Sequence, residues 1–143
     1  MEKTFKCLTL ANEQLDIALF LFIEHQSYAS AITLAGAAEE IFGKELSLLG
    51  VSHVLNWWYT NMALSHKLLH GKELEKKKFI DNKNLSRNAL KHHQGGDTEI
   101  TLDMKMEACW MLVRALENAQ RLGLKSSRYH DFDNWFHENI VGV

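Results

Sequence analysis

The chain has 143 residues and no proline. Proline is the residue that most reliably ends a helix, so its absence lets long helices run without interruption. Only eight glycines are available for turns, which argues against a loop-rich all-β fold. The length is that of one domain with a sizeable core, spanning residues 1–143. Hydrophobic residues make up 46% and charged residues 24%, an ordinary balance for a globular chain. No apolar run reaches the length that spans a bilayer, so no membrane is expected. The opening Met1-Glu2-Lys3-Thr4-Phe5-Lys6 lacks a signal-peptide core. Cys7 and Cys109 lie far apart without a metal-type spacing, and a reducing cytoplasm is the expected setting.

Apolar periodicity predicts an all-α antiparallel up-and-down bundle of four to five main helices plus a short C-terminal one. The first helix covers roughly 9–25, with Leu15, Ala18, Leu19, Phe22 and Ile23 at helical spacing. Ser27 or Ser30 caps a second, whose stripe is Ala31, Leu34, Ala35, Ala38, Ile41, Phe42 and Leu49, ended by Gly50. Its small residues permit close helix approach at the bundle centre or in a subunit interface. Ser52 caps a third with Val54, Leu55, Trp58, Met62 and Leu69 on one face, stopped at Gly71. Residues 72–83 are weakly periodic, either loop or helix. A fourth helix covers roughly 82–93 and stops before Gly95-Gly96. Thr98, Ile100 and Leu102 suggest a short extended segment. Asp103 then caps the cleanest helix, carrying Ala108, Met111, Leu112, Ala115, Leu116, Ala119 and Leu122 up to Gly123. Phe132, Trp135, Phe136 and Ile140 mark a last helix at roughly 131–140.

The net charge is −2, but it is unevenly spread. Residues 72–93 hold seven basic and three acidic side chains, a local +4 that leaves −6 on the rest. A basic strip on an acidic body either draws a phosphate to one place or is a solvated lysine-rich face. Its end, Arg87-Asn88-Ala89-Leu90-Lys91-His92-His93, concentrates the chemistry. On a helical wheel with Arg87 at zero, Lys91 falls at about 40°, Asn88 at about 100° and His92 at about 140°. His93 falls on the opposite, core-facing side. Histidine titrates near neutrality and can transfer a proton, and arginine can hold phosphate bidentately. The same residue types also favour a last helical turn simply because of the helix dipole.

Arg87-Asn88-Ala89-Leu90-Lys91-His92-His93 resembles the Arg-polar-x-x-x-His signature of HEPN (higher eukaryote and prokaryote nucleotide-binding) domains, and the nuclease segment of the kinase-extension nucleases in that superfamily. Ala37-Ala38-Glu39-Glu40-Ile41, followed later by Asn88-Ala89-Leu90-Lys91-His92, is similar to small bacterial HEPN-like proteins. The resemblance implies an all-α bundle of four or five helices, working as a homodimer whose motifs face one another. It implies a metal-independent RNA endonuclease or RNA-binding effector of toxin or defence type, without cofactor, paired in toxin-type members with a cognate antitoxin. In its terms Arg87 contacts phosphate, His92 transfers the proton and Asn88 fills the polar position. Lys91 binds substrate, and the acidic residue of an earlier helix is Glu40, with Glu39 next. Cleavage would proceed by attack of the ribose 2′-hydroxyl, leaving a cyclic phosphate. Some small bacterial relatives do not keep the arginine, so the alternative is a non-catalytic module that binds a nucleotide or a protein. A structural helical dimer without any site is the third reading.

Other candidates carry less. Glu45 lies within the apolar stripe of the second helix, where a buried carboxylate needs a partner. His66 and His70 are four apart but lack a third metal ligand, so a hydrogen-bonded core histidine is the expectation for His66. His130 and His137 flank the last helix with Asp131 and Asp133 nearby, a surface arrangement. Cys109 reads as inert packing. Trp57-Trp58-Tyr59 can stack bases, although tryptophans at helical spacing usually fill cores.

Overall fold

In the computed structural model, which describes Met1–Val143, every regular element is helical. Helix α1 (Cys7–Glu24) buries Ala11, Leu15, Ala18, Leu19 and Phe22, one face at helical spacing. Helix α2 (Tyr28–Leu48) buries Ala31, Ile32, Ala35, Gly36, Ala38 and Phe42 on a stripe of mostly small residues. That stripe lets α2 pack along both α1 and α6 (Met104–Arg121), and these three helices enclose the core. Ser27 occupies the N-cap position of α2 without a capping side-chain bond. Asp103 caps α6 as its position predicts, with Oδ1 accepting from the Met106 N–H at 3.0 Å. Helix α7 (Tyr129–Phe136) closes one end through buried Phe132 and runs into a π-helical turn, His137–Val141.

Helix α3 (Val54–His70) departs from its expected stripe. Only Val54 and Leu55 are buried, while Met62, Leu64, Leu68 and Leu69 are exposed. Its first turn is pinned by Asn118 of α6, whose Oδ1 accepts from the Val54 N–H at 2.9 Å. Beyond that turn the helix runs out of core to cover its apolar face, and Gly71 ends it in the left-handed region at φ 64°.

The expected single helix over 82–93 is two. Helix α4 (Lys76–Lys83) and helix α5 (Leu85–Lys91) meet at Asn84, whose backbone sits at φ −104°, ψ 8°. Asn84 is buried there because its side-chain carbonyl accepts from the Arg114 guanidinium at 2.9 Å. A tertiary bond thus sets the break, which local pattern does not show. The segment from His92 to Asp103, where Thr98, Ile100 and Leu102 suggested a short extended stretch, contains neither helix nor strand. No helix is long and apolar enough to cross a membrane.

The cap of α3 is also not the expected Ser52. His53 holds the N-cap position, and its Nδ1 accepts from the Asn56 N–H at 3.3 Å, which requires an unprotonated nitrogen. Burial lowers the His53 pKa below its ordinary 6.5, and Glu39 partly opposes that. A histidine held neutral by the fold contributes fully above the unfolded value, and its contribution is lost as pH falls from about 6.5 through the lower folded value. His53→Asn supplies a cap that does not titrate. Thermal melts at pH 7.5 and pH 5.5 are therefore expected to favour the variant more at the lower pH, by about 1 kcal/mol.

Candidate functional site

The Glu39 carboxylate is only 5% exposed, deep on the face that α2 turns toward α6. A buried carboxylate needs charge and hydrogen bonds to be stable there. Arg114 supplies both, with Nη2 donating to Glu39 Oε1 at 2.9 Å from a side chain 2% exposed. The same guanidinium donates to Asn84 Oδ1 and to the Lys83 carbonyl, at 2.9 and 3.1 Å. Burial pulls the Arg114 pKa down, and the Glu39 carboxylate opposes the shift. One turn on, Asn118 Nδ2 donates to the Glu39 carbonyl at 3.4 Å. This polar spine ties α2 and α6 to the junction of α4 and α5.

Arg87 belongs to that spine. Its side chain is 17% exposed, and Nη1 lies 3.5 Å from Glu39 Oε2 and 3.8 Å from Glu40 Oε2. Both carboxylates that the sequence nominated therefore meet the motif arginine, Glu39 from inside and Glu40 from the exposed rim. The stem of Arg87 lies against the Gly36 backbone, where an added Cβ would come within 2.7 Å of Arg87 Cδ. Glycine at 36 is the space in which the arginine packs. Gly36→Ala is expected to cost about 1–2 kcal/mol in chemical denaturation, crowding outweighing the gain in helix propensity. Gly43→Ala, whose Cβ would meet Asn118 Nδ2 at 3.5 Å and His53 Cβ and Cγ at 3.8 Å, all ordinary contacts, is the control and is expected to be neutral or stabilising.

The other motif residues face elsewhere. Helix α5 ends at Lys91, and His92 adopts extended backbone at φ −123°, ψ 107°. The wheel angle of His92 therefore does not apply, and the arc Arg87, Asn88, Lys91, His92 is not one surface. Asn88 and His92 line an open cleft with His93, Thr98 and Glu99, and Lys91 is exposed nearby in the chain. His93, expected on the core side, is exposed in the same cleft, because the helix ends before its turn would carry it inward. The chain thus separates its candidate proton-transfer group from its candidate phosphate clamp.

Among the remaining candidates, Glu45 is half-buried in a shallow cleft with Cys7, Glu40 and Lys44, so the deeply buried acid is Glu39 instead. His66 is hydrogen-bonded but not core: its Nδ1 lies 2.9 Å from the Lys72 carbonyl and its ring centroid 4.8 Å from that of His70. No group of three or more His, Cys, Asp or Glu side chains is arranged so that it could hold a metal ion. His137 Nδ1 lies 2.8 Å from the Asp133 carbonyl within its own helix, and His130 is exposed. Cys109 is buried, and burial pushes its thiol pKa up to about 11.

Sequence reasoning missed Arg114, Asn118 and Asn84. The signal was present for the first two: they sit four apart within the stripe Met111, Leu112, Ala115, Leu116, Ala119, where a charge and an amide have no reason to be unless they are paired. No protein-family model matches the chain, and no characterised protein or solved structure matches it.

Proposed function

We propose that this chain is an RNA-binding effector of HEPN type, with Asn88, Lys91 and His92 at the end of α5 as its RNA-contacting group. The observation that carries the reading is the division of the motif. His92 and Lys91 are solvent-facing, whereas Arg87 is turned inward against Glu39 and Glu40. A guanidinium already facing two carboxylates is a weak phosphate ligand, so one copy offers contacts to RNA without a complete catalytic set. The arrangement is read as an antiparallel up-and-down bundle built on α1, α2 and α6. The working form is a homodimer, a reading supported by the uncovered Leu64, Leu68 and Leu69 of α3. An RNA ligand implies a cytoplasmic setting, and a cognate antitoxin in this reading is a protein that covers the α5 end.

Cleavage is the second reading, favoured by one feature of Arg87. Its ion pairs are long, and its Nε has no hydrogen-bond partner, so the guanidinium is not saturated. In that case His92 takes the proton of a ribose 2′-hydroxyl, the oxygen attacks phosphorus, the 5′-oxygen leaves with a proton, and a cyclic phosphate remains. Mixed RNA incubated with the protein in excess chelator separates the two. The binding reading expects shifted but intact RNA, and loss of the shift in His92→Ala. Fragments with cyclic phosphate ends, absent in folded His92→Ala, would establish cleavage instead. RNA neither shifted nor cut would overturn both.

A further inference from the structure

A second cleft lies between α3, α4 and α6, separate from the end of α5, with a volume of about 370 Å³. That is the size of a small-molecule site. Its walls are Trp57, Trp58, Trp110, Met62 and Phe79, so three of the four tryptophans in the chain line one opening. Trp58 and Trp110 meet edge to face, with ring centroids 6.2 Å apart. Trp57 and Trp110 are each about half exposed, which leaves aromatic surface in water at the cleft, although Trp110 also meets Phe136 at 5.8 Å between ring centroids. Tryptophan in that state is a stacking platform.

The polar groups of the cleft are also of two kinds. Lys83, beside Phe79 with Nζ 5.6 Å from the ring centroid, and Asn82 supply donors at one side. Glu107 supplies an acceptor from α6. Arg114 forms part of the lining, is 98% buried by its 2% exposure, and keeps one N–H, Nε, without a partner.

We propose that this cleft binds a planar heteroaromatic ring of purine type, stacked on the exposed tryptophans, with a ring carbonyl toward Lys83 and an N–H edge toward Glu107. Aromatic walls select a flat π-system. A donor set and a carboxylate in one cleft select a ring that both accepts and donates, which a plain hydrocarbon or an indole does not. The ring can belong to a free nucleotide or to an unstacked base of single-stranded RNA. The proposal does not depend on the α5 end holding RNA.

Tryptophan fluorescence tests it, since a stacked ring quenches the indoles it covers. Guanosine monophosphate and a short guanine-containing single-stranded RNA serve as probes, with ribose 5-phosphate as the control that keeps the phosphate and lacks the ring. Saturable quenching by the nucleotide is expected, with none by ribose 5-phosphate at the same concentration. Trp57→Ala, at a half-exposed position that does not support the core, is expected to weaken the nucleotide by about 5–150-fold, the range of one lost base–aromatic stack. Glu107→Gln is expected to weaken it about tenfold or more, the range for losing a hydrogen bond to a charged group. A nucleotide that binds alone assigns the cleft to a free ligand, whereas quenching by the RNA alone assigns it to an RNA base. His92→Ala is expected to leave nucleotide quenching unchanged, so failure here and failure of the α5 reading are told apart. No saturable quenching by either probe, or quenching equal in wild type, Trp57→Ala and Glu107→Gln, would overturn the proposal.

Discussion

Glu39→Ala is expected to destabilise the fold by about 3–5 kcal/mol, the cost of leaving a buried charge without its partner. The carboxylate meets Arg114 at 2.9 Å and Arg87 at 3.5 Å, and both guanidinium groups are held mostly away from water. Removing the acid strands the positive charge of Arg114 at 2% exposure. Asn84 and the Lys83 carbonyl still accept from Arg114, but neither neutralises it. Urea denaturation followed by helical circular dichroism measures the loss. The double variant Glu39→Leu with Arg114→Met is expected to recover part of it, because an apolar pair of similar volume often replaces a buried ion pair at little cost, while Arg87 loses a carboxylate and Asn84 its donor. A loss below about 1 kcal/mol in Glu39→Ala would mean that the spine is solvated.

Phe22→Ala is the second large effect, again about 3–5 kcal/mol, from transfer and cavity terms together. Phe22 is 2% exposed and sits where α1 meets the C-terminal elements. Its ring centroid lies 4.7 Å from Trp135, 5.3 Å from Tyr28 and 5.7 Å from Phe132. It is therefore the main aromatic link between α7 and the three-helix core. Truncation is expected to lower the unfolding midpoint and also to loosen α7 in the folded state. The second effect is read as faster amide exchange in residues 129–136 at denaturant concentrations where α1 and α2 remain protected. Uniform exchange across all helices would show instead that α7 unfolds only with the whole.

The helical class was legible because it rests on local pattern: no proline, and apolar residues at helical spacing on α1, α2 and α6. The α6 cap at Asp103 is equally local and forms as expected. What sequence did not yield is set by distant partners. Glu39 stands four residues after Ala35 and three before Phe42, on the apolar stripe, but nothing local shows its partner Arg114, 75 residues away, which lets a carboxylate be buried there. The break at Asn84 has the same origin, since a guanidinium from α6 holds its side chain. That break gives α5 its own start, and the helix stops at Lys91, so the wheel geometry of His92 and His93 fails at the site. The leucines of α3 show the opposite limit. Their spacing is that of a packed face, but periodicity does not reveal whether a neighbouring helix is long enough to cover it. Trp57 and Trp58 were equally ambiguous, because spacing alone does not distinguish core from cleft.

Arg87 faces the carboxylates inside the fold, and the proposal assigns RNA contact to Lys91 and His92 instead. Fluorescence anisotropy of a labelled single-stranded RNA, read against salt and paired with urea denaturation of each variant, tests it most directly. Arg87→Lys keeps the charge and loses the planar fork, so it is expected to lower stability by about 1–2 kcal/mol and to leave RNA affinity within about twofold. Lys91→Ala and His92→Ala are expected to leave the unfolding midpoint unchanged and to weaken RNA binding, with the salt slope reduced by about 1 for Lys91→Ala. Loss of RNA affinity by about tenfold or more in a fully stable Arg87→Lys, with Lys91→Ala and His92→Ala unaffected, would contradict the account.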